Sequence, residues 1–272
     1  MKRGTAVYAR ITPSKIVIGA DSRTTLIDQS GRYAGILDDT CKVGAVGNEL
    51  IFASIGVTPS EFNESEVIRN AARAIAGKKN LGRDDLLQVI EAWKKELKER
   101  MDALDVLEMQ ILDEDAPGHI FHEVFFAMRL SDHTIDYRRM AVMIVDGDPK
   151  VYYRTSLLHE LKTGEVEVLN HFDEKATWQA PGGTDEFPTF AAGYGQSLNR
   201  ESLRDYVKRT LKEWKIKPPS DEERVRVEVQ AAIDYSPVRP PYPKPAVGGH
   251  VNEVEIDAKG IRWLTNNPEC QQ

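Results

Sequence analysis

Hydrophobic and polar residues alternate at the start of the chain, as they do in β-strands with one buried face. The alternation runs from Thr5 to Ile11 and, after a turn, an apolar strand follows at 16–20. The apolar run 50–56 ends at a glycine and predicts a further buried strand. The first quarter of the chain is therefore expected to be sheet, and its opening hairpin brings Thr5 and Asp21 to the same end.

Beyond Pro59 the apolar residues recur at helical spacing. Ser60 is a suitable N-cap for a first helix, and a second helix is expected from Arg83 to about Leu112. Further strands are predicted at 123–130, 139–145, 150–154, 165–169 and 176–179, further helices at 188–195, 200–214 and 220–235, and final strands at 251–257 and 261–264. This order predicts an α+β fold of two stacked sheets with helices on both outer faces. The segment 28–39, which is rich in Asp, Gly and Ser, is expected to be a loop.

Length and charge narrow the classes of protein. A chain of 272 residues is long enough for one large domain with a substantial core. Its net charge is −7, and its Lys and Arg residues form no cluster of the kind that follows a phosphate backbone, so nucleic acid is not an expected partner. No apolar run approaches the roughly 20 residues of a membrane-spanning helix, and Met1-Lys2-Arg3 leads into a strand pattern, so we expect a cytoplasmic protein without a membrane partner.

Two cysteines, Cys41 and Cys270, are too few for a disulfide scaffold. The general scarcity of disulfides outside secreted proteins favours two unpaired thiols. A single bridge between them is the alternative, and it would suit an oxidising compartment.

Four short motifs follow one another in the first sixty residues. A Gly4-Thr5 junction precedes the first strand, Ala20-Asp21-Ser22-Arg23 closes the second, Lys42 opens a third and Gly56 ends a fourth. In this order and spacing, the segment resembles the start of a proteasome β-type subunit, a member of the N-terminal-nucleophile (Ntn) hydrolases. The resemblance implies a four-layer αββα sandwich of two mainly antiparallel sheets flanked by helices. Farther along, Gly248-Gly249 before a strand is similar to a late glycine pair of that family.

The resemblance also implies how the chain would be activated. Cleavage between Gly4 and Thr5 would remove a leader, residues 1–4, and leave one domain, residues 5–272, in which the Pro/Gly-rich linker 237–250 precedes the last strands. Thr5 would then be the nucleophile, and its freed α-amine the general base. An α-amine titrates near about 7.7–8.0 and a lysine near about 10.4, so at neutral pH the amine is the better proton acceptor.

The remaining site residues take their roles from the same resemblance. Lys42 would stay cationic and favour the threonine alkoxide, Asp21 would hold Lys42 charged and oriented, and the backbone N–H of Gly56 would point at the developing oxyanion. Four small residues are expected to line the pocket for the side chain before the cleaved bond: Thr24, Thr40, Ser54 and Thr58. No cofactor is required. Members of the family also associate into oligomers, which implies that subunits of this chain associate.

Two family features have no clear counterpart in the chain. A late serine and a late aspartate usually support the nucleophile, but the corresponding loop reads Ala180-Pro181-Gly182-Gly183-Thr184. Thr184, Asp185 and the more distant Asp234 are the available substitutes. His119, His122 and Glu123 do not match the spacing of a two-histidine metal motif, so no metal site is predicted.

These observations predict a threonine-nucleophile amide-bond hydrolase, a proteasome-like peptidase that processes itself. A catalytically silent proteasome-like subunit with an assembly or binding role is the first alternative. The second is a hydrolase of small acyl-amides, which would use the same nucleophile.

Overall fold

The fold is known from a computed structural model, which describes residues 2–3, 6–12, 14–28, 30, 32–56, 63–75, 78–102, 120–145, 148–154, 167–171, 200–236, 238, 243–245, 247–265 and 270. These residues contain both helices and antiparallel strands, which confirms the α+β class. The predicted elements at 176–179 and 188–195 lie outside the described residues, as do Gly4, Thr5 and Thr58.

The described strands form three antiparallel sheets. They are β1 (Lys2–Arg3), β2 (Val7–Ile11), β3 (Lys15–Asp21), β4 (Thr24–Ile27), β5 (Tyr33–Leu37), β6 (Val43–Val46), β7 (Leu50–Gly56), β8 (Ile120–Arg129), β9 (Ile135–Val145), β10 (Asp148–Arg154), β11 (Glu167–His171), β12 (Val251–Asp257) and β13 (Gly260–Trp263). The strand orders are β10-β9-β8-β7-β6, β11-β2-β3-β12-β13 and β1-β4-β5.

An apolar cluster joins the two five-stranded sheets. Ile18 and Val254 come from the sheet that contains β3 and β12, and Ile51 and Phe125 come from the sheet that contains β7 and β8. These side chains are buried. The period-two alternation of the strands explains this arrangement, because every second side chain faces the same way.

The described helices are α1 (Glu64–Ala72), which continues into a 3₁₀ turn at Arg73–Ile75, α2 (Arg83–Asp102), α3 (Arg200–Ile216) and α4 (Asp221–Tyr235). Helices α1 and α2 pack against one large sheet, and α4 packs against the other. Trp93 of α2 contacts Phe126 of β8 edge-on at 5.6 Å between ring centroids. Val225 and Val229 of α4 pack on Tyr8 and Val17, on the face of the other sheet. No helix among the described residues is long and apolar enough to cross a membrane.

Two local expectations were wrong. The first helix begins at Glu64, because the side chain of Asn63, not Ser60, caps it by accepting a hydrogen bond from the N–H of Glu66 (3.3 Å). The segment 28–39 contains strand β5, which pairs with β4 in a hairpin. Turn residues on both sides of this short apolar run hid the strand in the sequence.

Candidate active site

The carboxylate of Asp21, at the end of β3, joins three distant segments of the chain. This side chain is 0 % exposed. It accepts hydrogen bonds from the N–H groups of Ala6 (2.7 Å), Gly248 (3.0 Å) and Arg23 (3.3 Å), and from the Nζ atom of Lys42 (2.8 Å). Buried charges are tolerated in proteins when they are paired and hydrogen-bonded in this way. One carboxylate therefore binds three segments: the start of the chain, the segment before β6 and the late glycine pair.

Lys42 is the cationic partner in this arrangement. It is 4 % exposed, and its Nζ atom also donates to the backbone carbonyl of Arg23. Burial lowers the pKa of Lys42 below its ordinary value, and the charge of Asp21 and its hydrogen bond oppose this shift. The ordinary lysine pKa therefore does not apply to this buried side chain, and the role of Lys42 as a cation depends on its contact with Asp21.

The hairpin of β2 and β3 brings the start of the chain to this site. Its register pairs Val7 with Ala20, and one step farther the N–H of Asp21 donates to the carbonyl of Ala6 (3.1 Å). Ala6 is therefore bound to Asp21 through both its N–H and its carbonyl oxygen. Thr5, which precedes Ala6 in the sequence, lies outside the described residues.

Gly56 ends β7, which is hydrogen-bonded to the segment that holds Lys42. The N–H of Ser54 donates to the carbonyl of Lys42 (2.8 Å), and Gly56 is paired with His122 of β8. The φ angle of Gly56 is 107°, a conformation that other residues rarely adopt. The backbone here needs glycine, and the oxyanion role of its N–H stays a prediction.

Three of the four predicted pocket residues lie beside the Asp21–Lys42 pair. Thr24 follows Arg23 directly and is buried, and the N–H of Thr40 donates to the carbonyl of Ser22 (2.9 Å). Ser54 is the residue whose N–H binds the carbonyl of Lys42. Each therefore adjoins a residue of the site, through the chain or through one backbone hydrogen bond, and their role in a pocket stays a prediction.

The late glycine pair packs directly on residues 21–23. Besides the bond from the N–H of Gly248 to Asp21, the carbonyl of Gly248 accepts from the N–H of Arg23 (3.0 Å). A Cβ atom at Gly248 would lie 2.4 Å from the guanidinium of Arg23, and one at Gly249 would lie 2.2 Å from the Oγ of Ser22. At Gly249 a side chain is excluded, because a Cβ atom would also lie 2.7 Å from the backbone carbonyl of Asp38 and the φ angle is 75°.

Two further residues of this region were missed by the sequence analysis. Asp38 accepts a hydrogen bond from the Nε of Arg23 (2.5 Å), and this bond lowers the pKa of Asp38. His250 binds Ser22 through its backbone N–H (2.9 Å) and lies 3.1 Å from it through Nδ1. Asp38 lies in the segment expected to be a loop. His250 directly follows the glycine pair in the sequence, and this position could have indicated that it belongs to the site.

Of the three substitutes for the late serine and aspartate, Asp234 alone lies among the described residues. Asp234 is exposed on α4, where it accepts a hydrogen bond from Gln230 (2.8 Å), and it is not among the groups that bind Asp21. Thr184 and Asp185 lie outside the described residues.

Cys41 and Cys270 form a disulfide, with a Cα–Cα distance of 5.3 Å. The expectation of two unpaired thiols was therefore wrong, because the fold brings together cysteines that are 229 positions apart. The bridge connects the residue before Lys42 to the buried Cys270. Disulfides are typical of oxidising compartments.

The described residues contain no group of three or more His, Cys, Asp or Glu side chains that could hold a metal ion. His122 is buried in β8, and His119 lies outside the described part of the chain. Comparison with known proteins identifies no family: the chain matches no protein-family model and no curated protein sequence.

Proposed function

We propose that this chain is an amide-bond hydrolase with a threonine nucleophile, activated by cleavage between Gly4 and Thr5 and acting on peptides. One observation carries the proposal. The buried ion pair of Asp21 and Lys42 is hydrogen-bonded to the N–H of Ala6, the residue that follows Thr5. A buried ion pair has a high desolvation cost, so its contact with the residue that follows the candidate nucleophile in the chain favours a catalytic role over a stabilising one.

The chemistry requires a free amine at Thr5. The α-amine takes the proton of the Thr5 hydroxyl, and the Oγ atom attacks the carbonyl carbon of the substrate amide. The tetrahedral intermediate collapses to an ester on Thr5, and the amine of the leaving group takes up the proton. Water, deprotonated by the same α-amine, then attacks the ester and releases the acid product.

Asp21 and Lys42 act on charge and orientation in this scheme. The ammonium group of Lys42 stabilises negative charge on the Thr5 oxygen, and Asp21 keeps that group in place. Burial lowers the pKa of Lys42, which makes the contact with Asp21 more important for keeping Lys42 charged. The N–H of Gly56 is the proposed oxyanion donor.

The leader supports peptides as the class of substrate. Strand β1 pairs with β4 in antiparallel register, with Lys2 opposite Leu26 and Arg3 opposite Thr25. Loss of the leader would expose this edge of β4, and an extended peptide can bind a free strand edge through its backbone. A small acyl-amide could not make the same ladder of hydrogen bonds.

The proposal includes the αββα sandwich of the Ntn hydrolases and the association of subunits. Apolar contacts between the two five-stranded sheets support the sandwich, as do helices on the two opposite faces. The association of subunits rests on the sequence resemblance alone.

The pairing of β1 with β4 also favours a second candidate, a catalytically silent subunit. If the leader is retained, it continues to occupy the edge of β4, and the Thr5 nitrogen stays an amide without basicity. Such a chain could serve assembly or binding only.

Two measurements distinguish these candidates. Intact mass and N-terminal sequencing of the purified protein should show loss of residues 1–4 in the native chain and their retention in Thr5→Ala. A β-lactone or epoxyketone probe should then modify Thr5 in the native protein alone. A native chain that keeps its leader and forms no adduct would support the silent subunit.

A further inference from the structure

We propose that His250 is a positioning residue: it holds the Gly248 N–H on Asp21 by donating a hydrogen bond from Nδ1 to the hydroxyl of Ser22. The proposal rests on the function proposed above in one respect only, namely that Asp21 serves the nucleophile. The positioning itself is a structural relationship that can be measured without activity.

The hydroxyl of Ser22 has three contacts. Ser22 is fully buried, and its Oγ atom bonds to the backbone carbonyl of Asp38. It also accepts from the backbone N–H of His250 (2.9 Å) and lies 3.1 Å from Nδ1 of the same residue.

A count of hydrogens determines the direction of the third contact. A serine hydroxyl has one hydrogen to donate and two lone pairs that accept. A carbonyl oxygen can only accept, so the bond to Asp38 uses the single hydrogen of Ser22. The contact with His250 therefore needs a proton on Nδ1. A carboxylate oxygen of Asp39 also lies 3.6 Å from Nδ1.

This direction excludes another interpretation of the same residues. Ser22, His250 and Asp39 could suggest a serine nucleophile with its base and its orienting carboxylate. In such a triad the histidine nitrogen accepts the serine proton, and the carboxylate binds the other ring nitrogen. Here Ser22 donates elsewhere, and Asp39 lies near the same nitrogen as Ser22.

The contacts of His250 affect Asp21 because His250 and Gly248 belong to one short segment of the chain. His250 is bound to Ser22 at two atoms, and Gly248, two residues earlier, donates to Asp21. Gly249 between them has a φ angle of 75° and no room for a Cβ atom. Residues 248–250 are therefore held closely against 21–22. Loss of the Nδ1 contact would loosen this segment and weaken the hydrogen bond that helps to orient the carboxylate beside Lys42.

Two substitutions of His250 test the inference. In His250→Asn the amide nitrogen lies one bond beyond Cγ, as Nδ1 does, whereas in His250→Gln it lies one bond farther, nearer to the position of Nε2. The side chain of His250 is 46 % exposed, so we expect both variants to fold. The hydrogen bond should survive in the asparagine variant and be lost in the glutamine variant.

The direct readout is hydrogen exchange at the Gly248 amide. It is measured in a Thr5→Ala background, so that every sample keeps the same leader and no activity is needed. We expect exchange about tenfold faster in His250→Gln than in the parent, as is typical for the loss of one hydrogen bond, and little change in His250→Asn. Equal exchange rates in the two His250 variants, whether both slow or both fast, would overturn the inference.

A second variant tests whether the glutamine acts on the Gly248 amide through the contact with Ser22 or by another route. Ser22→Ala removes the acceptor, so in that background His250→Gln should cause no further loss of protection at Gly248. An undiminished effect would contradict the proposed contact.

The rate of leader loss in chains that keep Thr5 connects the inference to the function. His250→Asn should process like the native chain, and His250→Gln more slowly. If the native chain does not process at all, the proposed function fails, while the exchange experiment still decides the positioning role.

Discussion

Asp21 and Lys42 form a buried ion pair, with 2.8 Å between Oδ1 and Nζ, and the same carboxylate binds the backbone at Ala6 and Gly248. Because the donors come from distant parts of the sequence, this one side chain stabilises the packing of three segments. Its loss would remove the counter-charge of a buried ammonium group and the acceptor of two buried N–H groups.

We therefore expect Asp21→Ala to reduce the free energy of unfolding by about 3–5 kcal/mol, the usual effect of removing one partner of a buried ion pair. Urea denaturation of a leader-retaining Thr5→Ala protein would measure it. Asp84→Ala is the matched control, since Asp84 is exposed in the first turn of α2, and it should change stability by less than about 0.5 kcal/mol. Similar values for both variants would contradict the structural role of Asp21.

The Cys41–Cys270 disulfide is expected to stabilise the fold through the unfolded state. It closes a loop across 229 positions, for which the chain-entropy description gives a contribution of about 5 kcal/mol. Urea denaturation with and without a dithiol reductant would measure the effect. In the control variant Cys41→Ser/Cys270→Ser, the reductant should change nothing. Two titratable thiols in the non-reduced native protein would show that the bridge is absent.

The buried carboxylate of Glu253 predicts that stability depends on pH. Glu253 is 0 % exposed in β12, and burial raises its pKa from 4.5 to about 7, although Arg226 donates to it from Nη2 (3.0 Å) and opposes the shift. A raised pKa means that the folded state holds its proton more tightly than the unfolded state does. The contribution of Glu253 to the free energy of unfolding is therefore fully present below pH 4.5 and is lost as the pH rises through about 7.

Glu253→Gln should remove this dependence, because the amide does not titrate. We expect the stability difference between the native protein and the variant to change by about 3 kcal/mol over that pH range. Chemical denaturation at a series of pH values would measure it. Glu99→Gln, at a largely exposed position of α2, is the control and should leave the pH profile unchanged. A parallel profile for Glu253→Gln would show that Glu253 is not the responsible group.

Gly249 is predicted to tolerate no side chain. Its φ angle is 75°, and a Cβ atom would lie 2.2 Å from the Oγ of Ser22 and 2.7 Å from the carbonyl of Asp38. Gly249→Ala should therefore destabilise the protein by about 2–4 kcal/mol, from backbone strain and overpacking together. Gly35→Ala is the matched control, because the nearest atom to its Cβ would be Leu26 Cδ1 at 3.8 Å. Thermal unfolding would compare the two, and equal shifts would contradict the predicted crowding at Gly249.

Much of the local structure could be predicted from neighbouring residues. The helix expected at 220–235 begins where Ser220 caps it, with Glu223 completing the capping box, and strand β12 spans the predicted 251–257. Interactions over a few positions along the chain determine such features. The same is true of the hairpin that brings Ala6 and Asp21 together, since a short turn fixes its register.

Contacts across the whole chain were decided only by the tertiary structure. Three such contacts join segments more than 200 positions apart: the hydrogen bond from Gly248 to Asp21, the disulfide of Cys41 and Cys270, and the contact of His250 with Ser22. No pattern of neighbouring residues predicts these long-range contacts, because they depend on how complete sheets pack. The lowered pKa of Lys42 has the same origin, since burial is a property of the folded chain and not of the residue.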